Sequence, residues 1–345
     1  MQPDGENKVR SRIFFIVTNL ISFVFLVWAL HGLNWTHLRH DVVHLDFRWV
    51  AVGLVADVLV YLFQSWRWNL VLRPIQAVNG WQATRAIYVG LFANEVLPLR
   101  AGELIRCFLL ARSSTIPVSV VLASALIERI FDGFWLILGL LITIRFVRLP
   151  RQIVFGAVML GILLLICGIL MAVAMFWKQQ ALDVLLGAKW LGWVHVLIED
   201  LHLIGHSRYL YYAWLASLPY LLIQVTPIYA FMQAYRPLQE LHLGVAFTAM
   251  VILRLVAVIP QAPGNLGAYN AFTVVGLRLF AVPSQIAKSF SLMLWTGITV
   301  PLLLVGFIAL AATGLDMGEL QKQARAGMRR KPLPVEPVPP LGKDW

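Results

Sequence analysis

The chain has 345 residues, 60% hydrophobic and only 13% charged, against about 45–50% and about 25% in an ordinary soluble domain. That balance excludes a soluble globular protein and points to a polytopic membrane protein. Its net charge of +11 is spread over termini and loops, a distribution suited to topology signals and anionic lipid rather than to nucleic acid.

Residues 1–12 are a basic N-terminus carrying Lys8, Arg10 and Arg12. The apolar stretch 13–30 follows and runs into Trp28 and His31 with no small-residue cleavage pattern, so it reads as a retained first span rather than a signal peptide. Further long apolar stretches fall near 49–66, 117–144, 152–177, 209–233 and 286–313. Each is long enough to cross a hydrocarbon core of roughly 30 Å. Lys322, Arg325, Arg329, Arg330 and Lys331 follow the last of them. With both basic ends held inside, the number of crossings is even, and six spans satisfy it. Arg67, Arg73 and Arg85 then fall inside, whereas Arg145, Arg148 and Arg151 fall outside, against the rule.

Between 178 and 208 the pattern changes. Leu182, Leu186, Trp190, Trp193, Leu197, Leu201 and Ile204 recur at steps of three and four. This predicts an amphipathic segment lying along the cytoplasmic face, with packing against the bundle as the alternative. The integral domain runs over 13–314. A basic, proline-rich tail, 315–345, is expected to be an extension near anionic lipid.

Two apolar pieces, about 86–110 and 244–280, are interrupted, and they match each other. Val96-Leu97-Pro98-x-x-x-Gly102-x-Leu104 lies over Val258-Ile259-Pro260-x-x-x-Gly264-x-Leu266. Proline ends the first half-helix and glycine permits a turn, so Pro98, Gly102, Pro260, Pro263, Gly264 and Gly267 mark helix breaks. In the six-span topology the first break enters from the cytoplasm and the second from the far side. The prediction is an all-α membrane fold of six full spans and two opposed re-entrant hairpins in an inverted repeat, about eight hydrophobic segments in all.

Charges cluster at these breaks. The first contributes Glu95, Arg100, Glu103 and Arg106, beside the polar Asn94; the third long span contributes Glu128, Arg129 and Asp132; Arg254 precedes the second break; Asp57 and Arg67 belong to the second span. Glu128 and Asp132, four apart, share a helix face. One reading is an internal ion-pair network that holds a broken helix against its neighbour. The other is a polar site at membrane depth, in which Arg100, Arg106, Arg129 and Arg254, with Asn94, bind an anionic group while Glu103, Glu128 and Asp132 position them or exchange protons. No metalloprotease, nucleophile-elbow or phosphate-loop motif occurs, and the two cysteines, Cys107 and Cys167, lie in apolar surroundings. No catalytic residue, metal site or cofactor is expected.

The stretch GLFANEVLPLRAGELIRCFLLARS, followed by ASALIERIFDGFWL, resembles the lysylphosphatidylglycerol synthase transmembrane, or flippase-like, family. The matching positions are Gly90, Asn94, Pro98, Arg100, Gly102, Glu103, Arg106, Glu128, Arg129 and Asp132. Arg67-Trp68 and Pro260, Pro263, Gly264 and Gly267 are similar to two further elements of it. Asn270 stands where many members carry an acid, so a carboxylate role there does not carry over. The resemblance covers roughly residues 10–315, and the short remaining tail leads to the expectation of the translocation half alone, without the synthetase domain of the best-known members. It implies translocation of a lipid with a phosphate-bearing headgroup across a bacterial or archaeal cytoplasmic membrane. The alternative is a non-transporting subunit that scaffolds a lipid-modifying or glycosyl-transferring enzyme.

Overall fold

Helix is the only regular secondary structure among the described residues, as hydrocarbon demands of any backbone that cannot close into a barrel. The structure is a computed structural model that describes residues 24, 27, 31–97, 101–176, 192–205, 207–257, 263–265 and 267–314. The expected first span lies almost wholly outside them, as do Pro98, Arg100, Pro260 and the tail.

In chain order the helices are α1 (Trp35–Val43), α2 (Phe47–Leu72), α3 (Gly80–Val96), α4 (Gly102–Ser113), α5 (Val118–Phe146) and α6 (Arg151–Phe176). Then come α7 (Gly192–Gly205), α8 (Arg208–Ile223), α9 (Val225–Ala234), α10 (Leu243–Val256), α11 (Ala268–Arg278) and α12 (Ser284–Ala311). The starts are chemically marked. Asp46, Asn79 and Ser207 cap α2, α3 and α8 by accepting from backbone amides of the first turn. Pro117 and Pro283 precede α5 and α12, the two helices that follow the interrupted pieces.

Four stretches are long and apolar enough to cross a membrane: Phe47–Leu72, Val154–Val173, Arg208–Ala234 and Ser284–Ala311. α5 has 29 residues, about 44 Å at helical rise, and has the length to cross as well. Its charged residues are Glu128, Arg129 and Asp132 within the run and Arg145 in the last turn. α6 exposes Phe155, Leu163, Leu165 and Leu170 along its length, a surface that lipid solvates well. The stretch expected as one span over 209–233 is two helices, divided at Gln224. Pro227 has no amide to offer the carbonyl of Ile223, so the ladder fails there.

Both interrupted pieces fold as antiparallel helical hairpins. Gln82 near the start of α3 donates to the Ser113 carbonyl at the end of α4, at 2.9 Å. His242 before α10 meets the Phe280 ring after α11, with centroids 6.4 Å apart. These helices have 17, 12, 14 and 11 residues, roughly 16 to 26 Å each, and none alone spans a hydrocarbon core of about 30 Å. Their packing is reciprocal: α3 of the first hairpin lies on α12, α10 of the second lies on α5, and α2 lies along α8 and α9.

The aligned glycines do different work. Gly264 has φ +79° and Gly267 φ +99°, left-handed values that other residues resist. Gly102 instead permits contact: a Cβ there would overlap the Gly90 carbonyl oxygen, and one at Gly90 would lie 2.7 Å from Arg106 Cβ. Of the amphipathic stretch, α7 is described, and it packs against α5 and α6 with Ile198, Leu201 and Ile204 buried.

Candidate functional site: an ion-pair ring beside a cavity

Six charged side chains from three helices close into an alternating ring. Arg67, in the last two turns of α2, reaches Glu128 at 3.0 Å and pairs with Asp132 one turn further along α5. Glu128 also faces Arg106 of α4 at 3.1 Å, and Arg106 reaches Glu103 at 2.9 Å. Glu103 pairs with Arg129 at 2.9 Å, and Arg129 returns to Asp132 at 3.9 Å. Three positive and three negative groups cancel, and each has two partners of opposite sign. At membrane depth that matters, because an uncompensated charge there is far more costly than a pair.

The ring is held from outside as well. Arg67 donates to the Ser217 hydroxyl of α8 at 2.7 Å and lies over the Tyr220 ring, 4.3 Å from its centroid. Arg106 lies over Trp68 at 4.6 Å, and the Trp68 indole donates to Ser124 of α5 at 2.9 Å. α2, α4, α5 and α8 are thereby joined at one level of the bundle.

Burial divides the ring. Arg67, Glu128 and Arg106 are at most 3% exposed, whereas Asp132, Glu103 and Arg129 are 20%, 38% and 43% exposed. Glu103, Arg106 and Arg129 form part of the wall of a cavity of about 250 Å³. The rest of that wall comes from both hairpins and from α2, α8, α9 and α12. At the second break Asn265 donates to Glu95 at 3.0 Å, and the Trp295 indole donates to the Gly264 carbonyl at 2.8 Å.

The structure brings most of the residues expected from sequence to this one place. Arg106 and Arg129 sit in the ring and on the cavity wall, together with Glu103. Glu128 and Asp132 are in the ring but not on that wall. Asn94 lines the cavity, and its side-chain oxygen accepts from the Gly102 amide at 2.9 Å, so it caps α4 across the first break. Arg254 lines the cavity and makes no ion pair among the described residues; its guanidinium lies over the Tyr220 ring, 6.0 Å from the centroid. Arg100 lies outside the described residues.

Two contributors were named among the charges of the second span but given no role in the site. Arg67 is a corner of the ring; its place in the Arg67-Trp68 element was the available signal. Asp57 lines the cavity at 8% exposure, in a stretch where nothing but its charge marks it.

Comparison with known proteins agrees with the motifs. The family model described as "Lysylphosphatidylglycerol synthase TM region" matches residues 15–323. A curated relative, the UPF0104 membrane protein MJ1595 of Methanocaldococcus jannaschii, is 22% identical over 116 residues, 33% of this chain and 34% of that protein. The similarity therefore spans about a third of that relative's length. No solved structure matches the chain.

Proposed function

Because the chain belongs to the lysylphosphatidylglycerol synthase TM region family, with a lipid-related membrane role, we propose that it moves a lipid with a phosphate-bearing headgroup across the cytoplasmic membrane. One observation carries this reading. Arg254 presents a guanidinium to a cavity at the meeting of two helix breaks, and no carboxylate pairs with it among the described residues. A planar guanidinium matches phosphate in a bidentate way and keeps its charge at any physiological pH.

Arg129, half-exposed in the ring, supplies a second cation on the same wall, and Arg100 of the first break is a third candidate. The ring carboxylates Glu103 and Asp132 hold Arg129 in place, Glu128 and Glu103 hold Arg106 beside it, and Asn94 fixes the start of α4. The headgroup crosses through the cavity while its acyl chains stay in lipid. No bond is made or broken, so the reading assigns no catalytic residue. Access alternates by rocking of one repeat against the other along α2, α8 and α9, with both termini in the cytoplasm.

The test uses purified protein in vesicles containing fluorescent phosphatidylglycerol, with a membrane-impermeant reductant added outside. Movement between leaflets carries bleaching well past half of the fluorophore. Bleaching that stops at half, as in protein-free vesicles, for phosphatidylglycerol and for other phospholipids alike, overturns the proposal.

A further inference from the structure

A second charge on the cavity wall belongs to no ion pair. Asp57 lies in the middle of α2, is more than nine-tenths buried and faces the cavity. Among the described residues its carboxylate accepts no hydrogen bond and meets no basic side chain at ion-pair distance. Every other acid on or beside the cavity is engaged: the three ring carboxylates each face two arginines, and Glu95 accepts from Asn265.

The groups around Asp57 can be taken helix by helix. Arg254 of α10 is the cation whose field reaches it. Tyr61 on α2 itself and Tyr269 on α11 share the cavity wall with it, Tyr88 on α3 donates to the neighbouring Val58 carbonyl at 3.5 Å, and the Tyr220 ring of α8 lies 4.3 Å from Arg67 and 6.0 Å from Arg254. Glu95 of α3 adds a like charge on the same wall, and Arg129 of α5 belongs to the ring. α9 and α12 line the cavity with uncharged side chains. Asp57 and Arg254 thus carry opposite charges on one cavity wall without forming an ion pair.

That balance is what a ligand disturbs. A phosphate diester on Arg254 brings one negative charge, so Asp57, Arg254 and the diester together carry a net charge of −1 and the buried carboxylate loses the uncompensated cation that balanced it. Two negative charges in a poorly solvated site are strongly unfavourable, and the carboxylate is the group that can lose its charge.

We propose that Asp57 is a proton-binding site coupled to headgroup occupancy: one proton from water binds its carboxylate when a phosphate diester binds Arg254, and returns to water when the diester leaves. The inference rests on the headgroup site assigned above and deepens it. Linkage is reciprocal, so the diester binds more tightly as pH falls, by up to about tenfold per pH unit for one proton. A pH difference across the membrane would then bias the direction of lipid movement.

The experiment is calorimetric titration of the purified full chain with short-chain phosphatidylglycerol, whose diester does not titrate near neutrality. It is run at several pH values between about 5 and 9 in buffers of different ionisation enthalpy, which counts protons taken up. Uptake approaching one proton per lipid, absent in Asp57→Asn together with the pH dependence of binding, is the expected result. The same uptake with the tail-free diester glycerophosphoglycerol places the linkage in the headgroup alone; uptake with the lipid but not the free diester supports it for a lipid-borne headgroup. Binding without uptake in the wild-type protein overturns the inference and leaves the headgroup site standing, and so does undiminished uptake in folded Asp57→Asn. Absence of binding at every pH removes both. If Asp57→Asn does not fold, the wild-type proton count decides.

Discussion

Asn265 donates from its amide to the Glu95 carboxylate at 3.0 Å, across 170 residues of sequence. The bond joins the end of α3 to the break that precedes α11, so the two interrupted hairpins meet beside the cavity. No helix of either hairpin is long enough to cross a membrane alone, and at this point a polar side chain of one hairpin is satisfied by the other. An arrangement of this kind also defines what must move if a headgroup is to pass.

Holding the two breaks together should therefore stop transport. A Glu95→Cys/Asn265→Cys protein, cross-linked by a short thiol-specific reagent, is expected to lose lipid movement in vesicles and to regain it when a cleavable linker is cut. Cys107 is buried and Cys167 partly so, and a variant lacking both controls for their reaction. Full activity of the cross-linked protein would mean the breaks stay together during transport.

The buried half of the ring should govern stability. Arg67→Ala strands Glu128, 1% exposed, with one partner fewer, and breaking such a pair costs about 3–5 kcal/mol. Chemical unfolding in detergent should show that loss for Arg67→Ala and a clearly smaller one for Arg129→Ala, whose side chain is 43% exposed. Equal losses would mean that burial does not divide the ring.

The glycines give a sharper contrast. Gly102→Ala drives a methyl into the Gly90 carbonyl oxygen and the Asn94 side chain, so the first hairpin cannot close. Gly264→Ala meets nothing nearer than 3.9 Å and pays only for its left-handed backbone, about 1–2 kcal/mol. The expected outcome is little folded protein for the first and a modestly less stable protein for the second, read as monodisperse yield and melting temperature.

A pH dependence arises outside the spans. Burial pushes the Asp200 carboxyl of α7 up to about 6, against a hydrogen bond from Ser119 that acts the other way. With its folded value above the unfolded one, its protonated form favours the folded state. That contribution is full below the ordinary value of 3.8 and is lost as pH rises through about 6. Asp200→Asn should therefore raise the melting temperature at pH 7 and flatten its decline between those two values; an unchanged profile would contradict this.

Much of the fold could be read from the sequence, because hydrophobic length is a direct statement about a bilayer. The stretches expected at 117–144 and 152–177 are the helices Val118–Phe146 and Arg151–Phe176. The break at Gln224 was hidden because the stretch around Pro227 is long and apolar enough to read as one span. Glu128 and Asp132 could be placed on one face by their spacing, and the Glu103–Arg106 bridge by theirs. Arg67 could not be placed: its partners lie 61 and 65 residues away, and spacing carries no information about such pairs. Asp57 was no more legible, since burial without a partner is a property of the folded chain alone.

The central claim is that an arginine on this cavity holds the moving headgroup, and Arg254 is its most direct test. Vesicles carrying wild-type or Arg254→Ala protein at equal amounts would be compared for the fraction of fluorescent phosphatidylglycerol bleached from outside. Bleaching past half for the wild type and stopping at half for a folded variant is the predicted result. Equal bleaching in the two would contradict the account.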